Sequence, residues 1–60
     1  MKTWLVKLHD NSVFRHNEYE DEPLWLGNID ELQGERWFTM YGDNRTLNKD
    51  ELKQLLDFLG

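Results

Sequence analysis

Sixty residues carry a net charge of −5, three Trp, two Tyr and three Phe, and no cysteine. The missing cysteines exclude a disulfide framework and thiolate metal sites. A chain this short buries only about 60% of the surface its unfolded form exposes, so bulky aromatic side chains or self-association must supply core.

The start Met1-Lys2-Thr3-Trp4 leads into polar alternation, without the apolar run of about 7–15 residues that a secretory signal needs. No stretch approaches the roughly 20 apolar residues of a membrane span. A cytoplasmic protein with no membrane partner is the expectation. Lys49-Asp50-Glu51-Leu52 spells an ER-retention signal, which acts only at an extreme C-terminus. Asn44-Arg45-Thr46 fits a glycosylation sequon, with nothing else to suggest secretion.

Residues 2–8 alternate as a strand does, with Trp4, Val6 and Leu8 on one face. His9-Asp10-Asn11-Ser12 is turn chemistry, and Val13 to Asn17 reads as the returning strand of a hairpin. The favoured register opposes Leu8 with Phe14 and gathers Trp4, Val6, Leu8, Phe14 and His16 on the core face. Opposing Leu8 with Val13 would instead send Phe14 to the other side, because a slip of one residue inverts the faces. A polar loop follows at 18–23, closed by Pro23.

Leu24-Trp25-Leu26 suggests a brief strand. Asn28 and Glu31 have the spacing of a capping box, so 28–34 is read either as strand or as one helical turn stopped by Gly34. Arg36 to Tyr41 is the last strand, with Gly42-Asp43-Asn44 as its turn. The C-terminal helix has the clearest signature. Asn48 caps it, Glu51 stands at the third helical position, and Leu47 and Leu52 have the spacing of a hydrophobic staple. Leu52, Leu55, Leu56 and Leu59 form an apolar stripe at helical spacing. The expected fold is α+β, a single domain over 1–60. Three or four antiparallel strands carry one C-terminal helix on one face, in the order β-β-(β)-β-α. Its expected core is Trp4, Val6, Leu8, Phe14, Trp37 or Phe38, Leu52, Leu55, Leu56 and Leu59.

No constellation of residues carries catalysis. His9 and His16, near Asp10 and Glu18, lack a third ligand at a recognised spacing. Ser12 is the only serine, and Thr3, Thr39 and Thr46 have no nucleophile context. Read as a calcium loop, Asp43–Asn48 would put Arg45 and Leu47 where oxygen ligands are required. Gly27, Gly34, Gly42 and Gly60 are isolated and form no phosphate loop. Neither metal nor cofactor is expected, and no enzyme.

Charge is the more informative signal. Residues 17–35 hold seven acids and no Lys or Arg, a charge of −7 that leaves +2 for the remainder. Glu18, Tyr19, Glu20, Asp21, Glu22 and Trp25 interleave acids with aromatics, and Asp30 and Glu31 follow. Tyr and Trp are enriched at interface hot spots, and surrounding acids steer a basic partner. The competing reading is a solvated acidic loop beside a buried Trp25. The chain resembles, in size and composition, small autonomous proteins encoded by phages and other mobile elements, which often bind and block a host machine. The expected function is therefore a non-enzymatic module presenting carboxylates to a basic protein, an inhibitor of that kind. The first alternative is a structural domain that pairs with itself as a homodimer. The second is a nucleic-acid binder using Lys2, Lys7, Arg15, Arg36 and Arg45. It ranks last, since phosphate-backbone affinity needs clustered cations.

Overall fold

The computed structural model describes residues 2–41 and 46–60. Four strands run β1 (Thr3–Lys7), β2 (Ser12–Asn17), β3 (Leu24–Leu32) and β4 (Glu35–Met40), followed by one helix, α1 (Lys49–Leu59). Each strand pairs antiparallel with the next in the order β1-β2-β3-β4, so the sheet is a simple meander. The helix packs on one face of this curled sheet, giving β-β-β-β-α and confirming the α+β fold. No described helix is long and apolar enough to cross a membrane.

Two tight turns set the register. In the first hairpin Leu8 N–H donates to Ser12 O at 2.9 Å and Asn11 N–H to Leu8 O at 3.0 Å, so only His9, Asp10 and Asn11 form the loop. Asn11 takes φ 68°, the left-handed residue that ends a three-residue hairpin loop. The Ser12 amide and hydroxyl bond to the Asp10 carboxylate and hold it below the usual carboxylate range. In the second hairpin Leu32 faces Glu35, with Gln33 and Gly34 at φ 53° and 85°. Two consecutive left-handed residues make a type I′ turn, which prefers Asn-Gly. Gln33→Asn is therefore expected to stabilise the fold by about 0.5 kcal/mol, raising Tm by about 2–4 °C. A thermal melt followed by circular dichroism checks it.

The region 24–34 is one continuous strand with its turn, not a helical turn. Asn28 and Glu31 cap nothing. They are cross-strand residues facing Thr39 and Arg36, because pairing along both flanks of β3 outweighs a one-turn helix with few bonds of its own.

Pairing runs Trp4↔His16, Leu5↔Arg15, Val6↔Phe14 and Lys7↔Val13. Trp4, Val6, Leu8, Phe14 and His16 do share a face, but Leu8 lies opposite Ser12 rather than Phe14. That face is also the outer one, turned away from the helix. The buried core is Leu5, Val13, Leu26, Ile29 and Leu55. Phe38, Leu47, Phe58 and Leu59 are partly buried against it. Small aliphatics on the inner face let the helix approach, whereas three outer-face tryptophans would hold it off.

Among the expected core residues, Trp4, Leu8, Leu52 and Leu56 are exposed, and Leu56 is 67% accessible. Val6 and Phe14 are half-buried on the outer face. Of Trp37 and Phe38, Phe38 points inward. On the helix the inward stripe is Glu51, Leu55 and Phe58, with Leu59 at its margin.

A β-bulge makes the core possible. Val13 pairs with Gly27 but Phe14 pairs with Trp25, leaving Leu26 as the extra residue of β3. A bulge reverses the pleat, so Leu26 and Gly27 both turn inward and Ile29 joins them. Without it, Leu26 and Ile29 would face opposite sides.

The helix is anchored at its first turn. Asn48 Oδ1 accepts from the Glu51 amide at 2.8 Å while Glu51 Oε1 accepts from the Asn48 amide at 3.0 Å. This is the capping box read from the sequence. Glu51 does more than cap, however. It is 2% exposed and receives Arg15 Nε at 2.6 Å, Arg15 Nη2 at 3.0 Å and the Thr3 hydroxyl at 3.1 Å. Arg15 Nη2 also donates to Thr46 O. One carboxylate thus ties the helix to β1 and β2.

Candidate binding surface: the outer sheet face and the acidic loop

Because one helix covers one face, the other face of the sheet stays open. Alternation along each strand decides what lies there. Trp4 and the cross-strand His16 stack with ring centres 5.8 Å apart and planes 14° from parallel. Trp25 and Tyr41 stack at 5.1 Å and 14°. Trp25 lies across from Phe14 on one side, and its Nε1–H donates to Asn28 Oδ1 at 3.0 Å, which orients the indole. Trp37 stands across from Asp30, and the Thr39 hydroxyl bonds to Asp30 Oδ2 at 2.9 Å. Trp4, Trp25, Trp37 and Tyr41 each remain between 37% and 44% exposed. The result is a sheet face floored by oriented aromatic rings.

The acidic loop borders this face. Asn17 ends β2 and its Oδ1 accepts from the amides of Tyr19 and Glu20, both at 2.8 Å, a local turn that starts the connection to β3. Glu18, Tyr19, Glu20, Asp21 and Glu22 are all exposed on it, and Tyr19 is 74% accessible. The loop delivers the chain directly into Leu24 and Trp25.

The expected site is therefore partly assembled and partly split. Glu18 through Glu22 and Trp25 lie together. Asp30 shares the outer face but stands six residues along β3 from Leu24, about 20 Å away at 3.3 Å per residue. Glu31 points to the helix side and pairs with Arg36 at 3.3 Å, both exposed. Pleating alone separates these two neighbouring acids. Trp25 is neither fully buried, as the solvated-loop reading required, nor isolated. Sequence reasoning placed Trp4, Phe14 and His16 together but on the core face, left Trp37 as an alternative to Phe38, and gave Tyr41 no face. The structure puts all five on the open face.

The basic residues do not form a single patch in the described region. Arg15 is engaged by buried Glu51. Lys7 and Arg36 line a crevice of about 100 Å³ with Asn11, Ile29, Glu31 and Phe58, below the roughly 300 Å³ of a typical small-molecule site. Lys2 is exposed on β1's approach. Arg45, the glycosylation sequon, the calcium-loop reading and the Gly42 turn fall wholly or partly outside the described residues. Among the described residues no group of three or more His, Asp or Glu could hold a metal ion. His9 sits at the hairpin tip, apart from His16 on the outer face.

Fold and surface together define a small α+β meander with one helix-covered and one open, aromatic face. Comparison with protein-family models, curated proteins and solved structures finds no match for the chain.

Proposed function

We propose that this chain is a non-enzymatic protein-binding module that seats a basic, partly apolar protein surface on its open sheet face. The observation that carries this reading is the junction of the acidic loop with the Trp25–Tyr41 stack. Four exposed carboxylates, at Glu18, Glu20, Asp21 and Glu22, border rings held in place by stacking and by Asn28. Such rings lose little side-chain freedom on binding, which favours their use as anchors. The acids raise the encounter rate with a cationic partner, and cation–π contact with the exposed rings adds attraction once water is displaced. When the basic surface so covered is the working surface of a nucleic-acid-binding protein, the module acts as an inhibitor, by occupying the place of phosphates.

The test separates steering from anchoring. Capture from the native cell is compared for the wild type, for Glu18→Gln/Glu20→Gln/Asp21→Asn/Glu22→Gln, and for Trp25→Ala. The neutralised loop is expected to slow association about tenfold and to flatten its salt dependence. Trp25→Ala is expected to speed dissociation and weaken capture by about 2 kcal/mol. Capture of the same protein at unchanged rates by both variants overturns the reading.

A further inference from the structure

The two edges of the sheet are treated differently, and the difference points to a second copy of the chain. In β1 the pairs nearest the loop place the backbone groups of Thr3, Leu5 and Lys7 outward. The middle one is covered: Leu5 N–H donates to Gln54 Oε1 of the helix at 2.7 Å. In β4 the two-residue turn makes Leu32 and Glu35 a hydrogen-bonded pair, so the backbones of Glu35, Trp37 and Thr39 face β3. Tyr41 N–H reaches Leu26 O at 2.8 Å in the same phase. The N–H and C=O groups of Arg36, Phe38 and Met40 therefore face away from the sheet. Among the hydrogen bonds of the described residues, none uses them.

The helix packs mainly against β1 and touches β4 more sparingly. Gln54, bonded to β1, projects about 160–200° around the helix from Leu52 and Leu56. Those two leucines are 48% and 67% exposed, and Met40 is 38% exposed. An aromatic, β-prone edge without Lys or Pro beside exposed leucines is a template for strand addition.

We infer that β4 pairs antiparallel with β4 of a second copy, joining two four-stranded sheets into one of eight. The strand is self-complementary. With the two-fold axis at Phe38, Arg36 lies opposite the second copy's Met40 and Trp37 opposite its Thr39, so no like charges meet. Joined this way, the outer aromatic faces of both copies become one continuous platform.

Sedimentation equilibrium from micromolar to millimolar chain, with amide hydrogen exchange at both ends, tests it. The expected result is a mass that doubles with concentration while the amides of Phe38 and Met40 slow about tenfold or more. The Leu5 amide, already bonded to Gln54, should change little beyond the general stabilisation. Leu52→Glu/Leu56→Glu, at exposed positions, should raise the dimer dissociation constant at least about tenfold. N-methylation of the Met40 amide in a synthetic chain should do the same with circular dichroism unchanged. A chain that stays monomeric throughout overturns the inference, as it would if β4 served a foreign strand. So does a dimer in which the Phe38 and Met40 amides exchange as in the monomer, or a doubly substituted chain that dimerises like the wild type.

Discussion

Gly27→Ala is expected to be the most destabilising single substitution in the sheet, removing about 3 kcal/mol or more. A Cβ at residue 27 would run into Thr39 O and stand 3.0 Å from Met40 Cα. Both are backbone atoms of the neighbouring strand, so no side chain can swing aside. Relief requires β4 to move away from β3 where the bulge has turned Leu26 and Gly27 together into the core. The ladder bonds near Gly27 and the packing of Leu26, fully buried, would loosen together. A loss of about 3 kcal/mol or more approaches the whole stability of a domain this size, about 3–9 kcal/mol. Urea titration followed by tryptophan fluorescence measures it. A midpoint within experimental error of the wild type would show that β3 and β4 do not approach this closely.

Glu51→Ala is expected to cost about 3 kcal/mol. Removing one member of a buried ion pair leaves the other uncompensated, and this carboxylate also closes the capping box, itself worth about 1 kcal/mol. Arg15 keeps 20% of its side chain exposed, so water softens the loss and the lower end of the range applies. Arg15→Met/Glu51→Leu is expected to cost less than Glu51→Ala alone, since it leaves no charge stranded. A double-mutant cycle across positions 15 and 51, by urea denaturation, checks both statements.

The same carboxylate sets an acid limit. Burial is the largest single influence on Glu51 and pushes its pKa up. The Arg15 guanidinium, the Asn48 amide and the Thr3 hydroxyl together outweigh it and hold the group below its usual value. The folded chain therefore binds this proton more weakly than the unfolded chain. Its stabilisation is fully present above the unfolded-state pKa, about 4.3, and declines as pH falls from there through the lower folded-state value. Stability measured between pH 6 and pH 2 should lose that part of its slope in Glu51→Gln. An identical acid profile in the two chains would show that Glu51 is not the responsible group.

Much of the architecture was legible because it is written locally. Asn48, Glu51, Leu47 and Leu52 announce a helix start within six residues, and the first strand, its turn and the returning strand follow from alternation and turn chemistry. The acidic stretch was equally visible, as was the exposure of its loop. What failed was assignment to faces. Along residues 2–8 the apolar alternation of Trp4, Val6 and Leu8 outnumbers Leu5 alone, and counting side chains chooses the wrong set as core.

From the chain alone came the element order, the helix cap, the first hairpin turn and the charge segregation, since each depends on neighbours a few residues apart. Which face of the sheet would be buried was a tertiary decision. It turned on the Arg15–Glu51 pair across 36 residues, on the bulge that brings Leu26, Gly27 and Ile29 to one side, and on the room small aliphatics leave for a helix. Pleating at Asp30 and Glu31 then divided the acidic stretch between two faces. Contacts between distant segments compete for each strand's two sides, and a pattern read along one strand does not contain the other competitor.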